Sequence, residues 1–233
     1  MEEIPLSGGR VTAGVVRAGD TVRRPCCPNS PFVHRVLSFL EEKDAPAPRF
    51  LGLDDRGREI ISFLPGQVPD NLGYFSEEQL SAAGKLIRTL HDALSDFPDC
   101  SPGETVCHRD LSPCNFLFTG GLPAFVIDWD AAMVGNPLDD LAYALWMWLE
   151  MGNRGNPPRD TARRAKFLLD GYGLEPALRP ESFRRIRGQM ERVAQSVFPT
   201  REQTAATRAW AESCLGWLRE YRALLEKESQ AEH

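Results

Sequence analysis

Short β-prone runs separated by turn residues make up most of the first 65 positions, with one helical pattern among them. The runs are three to six residues long and glycines lie between them, which is typical of an antiparallel β-meander followed by a hairpin. The predicted strands are residues 10–12, 14–17, 21–24, 49–53 and 59–64. Ser30 followed by Pro31 is predicted to cap and begin a helix whose apolar stripe ends near residue 42.

Hydrophobic residues at three- and four-residue spacing indicate that the chain is mostly helical from Ser76 onward. Ser76 begins a capping box with Gln79. In the last helix, a stripe that includes Trp210, Cys214 and Trp217 is predicted to face the core. The predicted helices are residues 76–97, 137–150, 160–172, 180–198 and 202–228.

The change from β-type to helical patterning falls at Pro65 and Gly66. Turn residues at such a change are typical of a boundary between two units. We therefore predict a β-rich lobe over residues 1–65 and a larger, mainly helical lobe over residues 66–233. The helical lobe is interrupted by short predicted strands at 105–107 and 124–127.

Composition is that of an ordinary globular protein, with 233 residues, 42% of them hydrophobic and 26% charged. A chain of this length can bury a stable core without covalent links, so its six scattered cysteines are interpreted as free thiols. The net charge of -6 gives no basic field for nucleic acid or an anionic membrane. The longest apolar run, 141–149, is too short to cross a bilayer, and the acidic N-terminus does not resemble a secretory signal. A cytoplasmic protein with no membrane or nucleic-acid partner is expected.

The candidate chemistry is concentrated in residues 108–115, which read HRDLSPCN, and in Asp128 thirteen positions later. Phosphoryl transfer needs a carboxylate that accepts the proton of the attacking hydroxyl, and an amide and a second carboxylate that hold Mg²⁺ on the nucleotide phosphates. Asp110, Asn115 and Asp128 supply these groups at the required spacing. The structural alternative, an Asx turn, explains an isolated Asp or Asn but not the set. Asp130 either assists the metal or caps a turn.

These residues resemble the aminoglycoside phosphotransferase and choline kinase group of small-molecule kinases. Three further segments carry the resemblance: LHD at 90–92, FLPG at 63–66, and GNP at 135–137, which leads to Asp140. The resemblance implies an α+β, protein-kinase-like fold of two lobes. Its small antiparallel N-lobe binds nucleotide, and its larger, mainly helical C-lobe holds the catalytic loop, the metal site and the acceptor-binding helices.

The resemblance also implies a reaction, in which the γ-phosphate of ATP or GTP moves to a hydroxyl of an aminoglycoside-, choline- or sugar-like small molecule. Asp110 is then the catalytic base. Asn115 belongs to the nucleotide site and, with Asp128, binds Mg²⁺. Asp140 would hold the catalytic loop from behind, although an acid in the first turn of a helix is also explained by the helix dipole.

The nucleotide-binding part of the N-lobe departs from the family pattern. By resemblance, the backbone of Ser62, Phe63 and Leu64 takes the adenine. The chain has four lysines, and none lies in the strand where these kinases place a phosphate-binding Lys. Arg23 and Arg24 occupy that strand, and Arg can hold phosphate oxygens bidentately.

Two other features of the N-lobe are unusual for the family. The helix at residues 30–40 contains no acid that could pair with the phosphate-binding side chain. Gly8, Gly9 and Gly14 do not form a G-x-G-x-x-G sequence, so they either cover phosphates or, by the simpler interpretation, form hairpin turns. Nucleotide binding is thus either arranged differently from the family or lost.

Arg109 stands where most members of the aminoglycoside group have Gly, so the local sequence also resembles protein kinases. A protein kinase is disfavoured because residues 131–139 contain no Ser, Thr or Tyr and no A-P-E sequence follows.

The leading hypothesis from the sequence is therefore a small-molecule kinase. The alternative is a catalytically impaired binding protein on the same fold, or a peptide-toxin immunity protein, since trifolitoxin-immunity-like relatives exist in this group. Acidic residues of the C-terminal helices are candidates for a cationic acceptor pocket: Glu150, Asp160, Asp170, Glu212 and Glu220.

Overall fold

The computed structural model describes residues 2–6, 14–69 and 73–230. The strands in these ranges are β1 (Ile4–Pro5), β2 (Val16–Ala18), β3 (Thr21–Arg24), β4 (Phe50–Leu53), β5 (Glu59–Ser62), β6 (Thr105–Cys107), β7 (Phe116–Thr119), β8 (Leu122–Val126) and β9 (Met133–Gly135). The α-helices are α1 (Ser30–Glu42), α2 (Glu77–Leu94), α3 (Pro137–Trp148), α4 (Pro158–Tyr172), α5 (Arg179–Ala194) and α6 (Arg201–Gln230). Every predicted helix is present, with ends within four residues of those expected.

Strands β1 to β5 form one antiparallel sheet in the order β1-β2-β3-β5-β4. The predictions at 21–24, 49–53 and 59–64 are confirmed as β3, β4 and β5, although β5 ends at Ser62. Strand β3 lies in the middle of the sheet and is paired with β5 through Arg24 and Glu59. This pairing places a basic and an acidic side chain directly opposite each other.

The start of the sheet was predicted less well. The strand predicted at 14–17 corresponds to β2, which begins two residues later, whereas β1 was not predicted because two residues carry no periodic pattern. The strand predicted at 10–12 lies outside the described residues, as do Gly8 and Gly9. Gly14 is described and adopts a left-handed φ of 83°, which agrees with a turn.

Helix α1 begins at Ser30 with Pro31 in its first turn, but the predicted N-cap is wrong by one residue, since Asn29 occupies that position. The Asn29 side chain does not cap the helix. Its Nδ2 donates instead to the backbone carbonyls of Asp130 and Ala132, at 2.9 and 3.0 Å. The start of α1 is thereby fixed to the loop that follows β8.

The segment after β5 leads into the helical part of the chain and is paired with β7. Gln67 and Phe118 exchange two backbone hydrogen bonds of 3.0 and 2.8 Å. Gly66 has a φ of 146°, and a Cβ there would lie 3.0 Å from both Leu117 Cβ and the Phe118 carbonyl oxygen, so the crossing requires glycine. We propose that the two lobes, 1–65 and 66–233, divide at Pro65 and Gly66.

The helical lobe has an aromatic core that includes Trp146, Trp148 and Trp217, each at most 1% exposed. The predicted core stripe of α6 is confirmed at Cys214 and Trp217 but is wrong at Trp210, which is 45% exposed. The Trp210 ring stacks on Trp146 with centroids 4.8 Å apart. Helical spacing alone does not show where a stripe leaves the core.

Two small antiparallel pairs, β6 with β9 and β7 with β8, lie between α2 and α3 in the chain and carry the candidate motif. The strands predicted at 105–107 and 124–127 are confirmed as β6 and β8, while β7 and β9 were missed. The architecture is the predicted α+β arrangement of a small antiparallel lobe and a larger helical lobe. None of the described helices is both long and apolar enough to span a bilayer.

Helices α2 and α4 approach closely at two glycines. A Cβ on Gly84 of α2 would overlap the backbone carbonyl of Leu168, and a Cβ on Gly171 of α4 would overlap that of Ser81. Gly188 of α5 has open space at the same position. The close spacing of α2 and α4 therefore depends on glycine at positions 84 and 171, because any Cβ there would overlap the other helix.

We predict that Gly84→Ala lowers the free energy of unfolding by about 1–3 kcal/mol, because the helices must separate to admit the methyl group. The matched control is Gly188→Ala, which should stabilise the protein by up to about 1 kcal/mol through helix propensity alone. Urea denaturation of both variants measures the difference, and equal effects would contradict the packing argument.

Candidate active site

One buried carboxylate binds the backbone of the catalytic-loop candidate, residues 108–115. Asp140, in the first turn of α3, is 1% exposed. It accepts hydrogen bonds from the backbone N–H groups of His108 at 2.5 Å and Arg109 at 2.8 Å. Arg109 has a left-handed φ of 71°, a conformation that these bonds hold in place. The loop therefore turns where Asp140 binds it, so Asp140 does more than favour the helix dipole.

Asp140 is also joined to α2 and α4. His91 Nε2 lies 3.2 Å from Asp140 Oδ2, and His91 Nδ1 lies 3.0 Å from the Tyr172 hydroxyl. Burial alone would raise the pKa of Asp140, but the hydrogen bond and charge of His91, the charge of His108 and the Arg109 N–H together lower it. Asp140 thus stays ionised at neutral pH, and His91 acts in hydrogen bonding and packing.

Asp110 lies at the open side of the loop and is positioned by two contacts. The Tyr143 hydroxyl donates to Asp110 Oδ1 at 2.8 Å, and Asn115 Nδ2 donates to the Asp110 carbonyl oxygen at 2.8 Å. Burial, together with the charge of Asp110, raises the pKa of Tyr143 well above its usual value, so the phenol remains a donor. Asp110 keeps its second carboxylate oxygen for another partner, and Asn115 keeps its amide oxygen as an acceptor.

Asp128 is brought beside this loop by the β7–β8 pair. The Ile127 N–H donates to the Asn115 carbonyl at 2.9 Å, and His108 Nε2 lies 3.0 Å from the Ile127 carbonyl oxygen. Asp128 itself has a left-handed φ of 67°, so the chain leaves the extended conformation of β8 at this residue. The structure therefore places Asp128 next to Asn115, as the motif spacing predicted.

Arg24 of β3 extends from the N-lobe into this cluster. Its guanidinium binds Asp128 Oδ1 at 2.9 Å and also contacts Asp130 and Glu59. Burial alone would lower the pKa of Arg24, but the charges of Asp130, Glu59 and Asp128 outweigh it and raise the pKa. Burial raises the pKa of Asp130, and Arg24 opposes that shift. One cation faces three carboxylates here.

Glu59 supplies the acid that residues 30–40 of α1 lack; the acids of this helix, Glu41 and Glu42, lie at its C-terminal end. It lies on β5 directly opposite Arg24, is 1% exposed, and forms the ion pair that the sequence does not provide at the family's usual positions. Helix α1 contributes His34 instead, whose Nε2 lies 2.7 Å from Glu59 Oε2. The basic residue, the buried acid and helix α1 are thus connected, but the basic residue is Arg where the family has Lys, and the helix contributes His where the family has Glu.

The oxygen atoms around Arg24 and the catalytic loop suit a hard divalent cation. Mg²⁺ binds carboxylate and amide oxygens. Asp128, Asp130 and the amide oxygen of Asn115, whose partner is the Cys114 thiol at 3.9 Å, provide such atoms on adjacent parts of the chain. The excess of carboxylates over the Arg24 charge adds electrostatic attraction. These residues fit a Mg²⁺–nucleotide site.

The other predicted nucleotide residues lie around the hinge and on β3. Arg23 projects to the opposite face of the sheet from Arg24, because side chains alternate along a strand, so the structure does not bring it into this cluster. Ser62 Oγ accepts from the Arg49 N–H at 2.9 Å, and the Phe63 N–H donates to the backbone carbonyl oxygen of Asp20 at 2.9 Å. Leu64 follows at the start of the linker and is partly buried.

The acids proposed for a cationic acceptor are mostly neutralised. Asp160 pairs with Arg163, Asp170 with Arg179 and Glu220 with Arg154. Glu150 is hydrogen-bonded to nearby asparagines. Glu212 lines a groove of about 640 Å³ between α5 and α6, whose other lining residues are Glu191, Ala194, Gln195, Arg208, Leu215 and Arg219. No catalytic-loop residue lines this groove.

Sequence reasoning missed three residues that shape the site: Glu59, His34 and Tyr143. Glu59 gave no clear signal in the sequence, because the predicted hairpin pairs it with Leu53, whereas its pairing with Arg24 joins strands 35 positions apart. Tyr143 carried no signal, because its role depends on how α3 packs beneath the loop.

Comparison with known proteins shows relatives in sequence and in fold. The model of a family described as "Phosphotransferase enzyme family" matches residues 101–181, which contain the catalytic loop and Asp128. The trifolitoxin immunity protein of Rhizobium leguminosarum bv. trifolii is 34% identical over 197 residues, which cover 74% of this chain and 75% of that protein.

Solved structures show the same fold at low sequence identity. A choline/ethanolamine kinase family protein from Mesorhizobium loti superposes with a TM-score of 0.62 and 18% identity, covering 95% of this chain and 93% of that one. Aminoglycoside 2'-phosphotransferase-IIIa, solved as a GDP complex, gives a TM-score of 0.59 and 14% identity, covering 96% and 93%. These likenesses confirm the expected kinase-like fold.

We predict that Asp140→Asn destabilises the protein by about 3 kcal/mol at pH 7, because the two backbone N–H groups lose a buried anionic acceptor. The folded-state pKa of Asp140 lies below its unfolded value of about 3.9, so this stability is fully present above that value and disappears as pH falls through the folded pKa.

Urea denaturation of both proteins between pH 7 and pH 3 tests this. The difference between wild type and Asp140→Asn should narrow below about pH 4. The exposed pair of Asp92 and Arg88 provides the control, since Asp92→Asn should cost no more than about 1 kcal/mol at any pH. A difference that stays constant with pH would rule out the ionised carboxylate as the cause.

Proposed function

Since the chain belongs to the aminoglycoside phosphotransferase and choline kinase-like family, we propose that it is a phosphotransferase that moves the γ-phosphate of ATP or GTP to a hydroxyl of a small molecule. The observation that carries this proposal is the position of Asp110, which Tyr143 and Asn115 hold in the loop, while the backbone of Asn115 binds the residue before Asp128. One carboxylate is thus free to meet an acceptor while the others lie where nucleotide phosphates would bind.

Asp110 is the proposed base. The acceptor oxygen forms a bond to the γ-phosphorus while the bond from that phosphorus to the β–γ bridging oxygen breaks. The acceptor proton passes to the free carboxylate oxygen of Asp110, and the nucleoside diphosphate leaves with the electron pair. Tyr143 keeps Asp110 in one rotamer during this exchange, because its hydroxyl occupies Oδ1.

Asn115, Asp128 and Asp130 are proposed to hold Mg²⁺, which when bound neutralises charge on the nucleotide phosphates. Arg24 takes the role of the phosphate-binding Lys. Once Asp128 and Asp130 hold the metal, the Arg24 guanidinium turns from them toward the phosphate oxygens. The ion pair between Arg24 Nε and Glu59 keeps the rest of the Arg24 side chain in place. The backbone of residues 62–64 remains our proposal for the adenine site.

An immunity role is the second candidate function. The 34% identity to the trifolitoxin immunity protein favours it, as does the replacement of the family's Lys by Arg24. The chain would then protect by binding a toxin or by phosphorylating it. Protection by binding alone would not require Asp110, whereas phosphate transfer to a toxin or to a small molecule would.

We predict that Asp110→Asn lowers phosphate transfer by about 10²- to 10⁴-fold, because the acceptor proton loses its base. Binding of Mg–AMP-PNP, measured by titration calorimetry, should stay within a few-fold of wild type. Transfer is measured over a panel of amino alcohols, sugars, hydroxy acids and aminoglycosides. If Asp110→Asn retained full protection against trifolitoxin in a sensitive strain, the non-enzymatic candidate would be favoured.

We also predict that Arg24→Met weakens Mg–AMP-PNP binding by about 10- to 100-fold, the range for loss of hydrogen bonds to a charged group. The affinity of Arg24→Lys should lie between those of Arg24→Met and wild type, because Lys keeps the charge but not the bidentate geometry.

The variant Arg23→Met tests which of the two predicted arginines binds the phosphate. Weaker binding in Arg23→Met and normal binding in Arg24→Met would assign the phosphate to Arg23. The double variant Arg24→Met with Glu59→Gln removes the buried negative charge that Arg24→Met leaves without its guanidinium, and it controls for stability.

A further inference from the structure

Helix α5 brings one arginine to the backbone of the loop that holds Asp110 and to the Tyr143 ring. Arg192 Nη2 donates to the backbone carbonyl of Arg109 at 3.0 Å, and Arg192 Nε donates to Gln189 at 3.2 Å. Its guanidinium lies over the Tyr143 ring, 5.4 Å from the centroid. The hydroxyl of that ring is bonded to Asp110, so Arg192 lies about one aromatic ring away from the proposed base.

Among the described residues, Arg192 has no carboxylate within salt-bridge distance. This sets it apart on its own helix, where every other arginine is paired. The pairs are Arg179 with Asp170, Arg184 with Glu181, Arg185 with Asp139 and Glu181, and Arg187 with Glu191. Arg109, which follows β6, likewise has no ion pair within the described part of the chain.

The surroundings of Arg192 favour an anion. Burial lowers the pKa of Arg192, and the nearby charge of Arg109 lowers it further, so the two cations destabilise each other. The charges of Asp110 and Asp140 act on Arg192 in the opposite direction, but Asp140 is occupied by the His108 and Arg109 N–H groups, and the free oxygen of Asp110 is the one proposed for the acceptor hydroxyl. A partly buried guanidinium next to a second one is stabilised when a bidentate anion binds between or beside them.

The same surroundings disfavour a cationic acceptor. Of the five acids proposed for one, three are paired with arginines, Glu150 is hydrogen-bonded to asparagines, and Glu212 lines a groove that contains no residue of 108–115. Aromatic rings bind cations through their faces, but the Tyr143 face is taken by Arg192 and Trp146 is 1% exposed. Trp210 is exposed, but it contacts the Trp146 ring, which in turn contacts Tyr143, so Trp210 is one ring further from Asp110.

We infer that the acceptor carries an anionic group, a carboxylate in the simplest case, near the hydroxyl that it presents to Asp110, and that Arg192 binds this group. The inference rests on the proposed function, since it identifies the acceptor class of the same site. Arg192 then aligns the hydroxyl with Asp110, and acceptors that carry only positive charge bind poorly.

The probes for the test are two sets of hydroxy compounds that differ mainly in charge. One set is glycerate, glycerol and 3-amino-1,2-propanediol; the other is N-acetylserine, N-acetylserinamide and serinol. Their dissociation constants are measured by ligand-observed NMR on wild type, Arg192→Gln, Arg192→Lys and Arg187→Gln, each saturated with Mg–AMP-PNP. Arg187 is the matched control because it is exposed on the same helix and pairs with Glu191.

The anionic member of at least one set should bind wild type about 10- to 100-fold more tightly than its neutral and cationic partners. Arg192→Gln should remove that preference, Arg192→Lys should keep part of it, and Arg187→Gln should behave as wild type. The inference is overturned if no member binds, if charge makes no difference, or if the preference survives in Arg192→Gln.

Two further readouts separate this inference from others. If Arg192 acted on the transferring phosphoryl group, Arg192→Gln would lower kcat for every acceptor and leave the charge preference intact, which contradicts the inference. If the chain bound the anionic probes through Arg192 but neither bound Mg–AMP-PNP nor transferred phosphate, the proposed function would fail while the anion site stood.

Discussion

A single guanidinium, that of Arg24, connects the two lobes at the candidate site. It lies on the central strand of the small sheet and binds Glu59 of that sheet together with Asp128 and Asp130 of the helical lobe. Three carboxylates against one guanidinium leave an excess of two negative charges, which equals the charge of one divalent cation. The position of the sheet over the catalytic loop therefore depends on an electrostatic cluster that is incomplete without further positive charge.

This cluster also shows how a fold can keep a basic group paired with a buried acid after the family's usual residues are replaced. The family's Lys and its helical Glu are both absent, yet a basic group in β3 still meets a buried acid. The acid comes from β5, and α1 reaches it through His34. An arginine has a longer reach and a planar fork, so its acid partner can lie beside it on the neighbouring strand. The exchange of Lys for Arg and the relocation of Glu are thus two parts of one rearrangement.

The sequence predicted features that depend on local pattern, and missed those that depend on how elements pack. The helices, the central strands and the spacing of Asp110, Asn115 and Asp128 follow from periodicity and motif, and the structure brings the three together. The role of Tyr143 was invisible, because an apolar helix in which it lies gives no sign of which residue faces the loop. The N-cap of α1 was assigned to Ser30, since the sequence could not show that Asn29 uses its amide to hold a distant loop. The lobe boundary and the individual site roles stay predictions.

The contact of α2 with α4 at two glycines extends its influence to the active site. Gly84 packs against the backbone next to Tyr172, and Tyr172 is bonded to His91, which is bonded in turn to Asp140. Any widening of that helix contact would move the support of the catalytic loop without altering a residue of the cleft. Inactivating substitutions in natural variants of this chain should therefore arise at the back of the helical lobe as well as in the motif. A survey restricted to the HRD segment would classify such variants as intact.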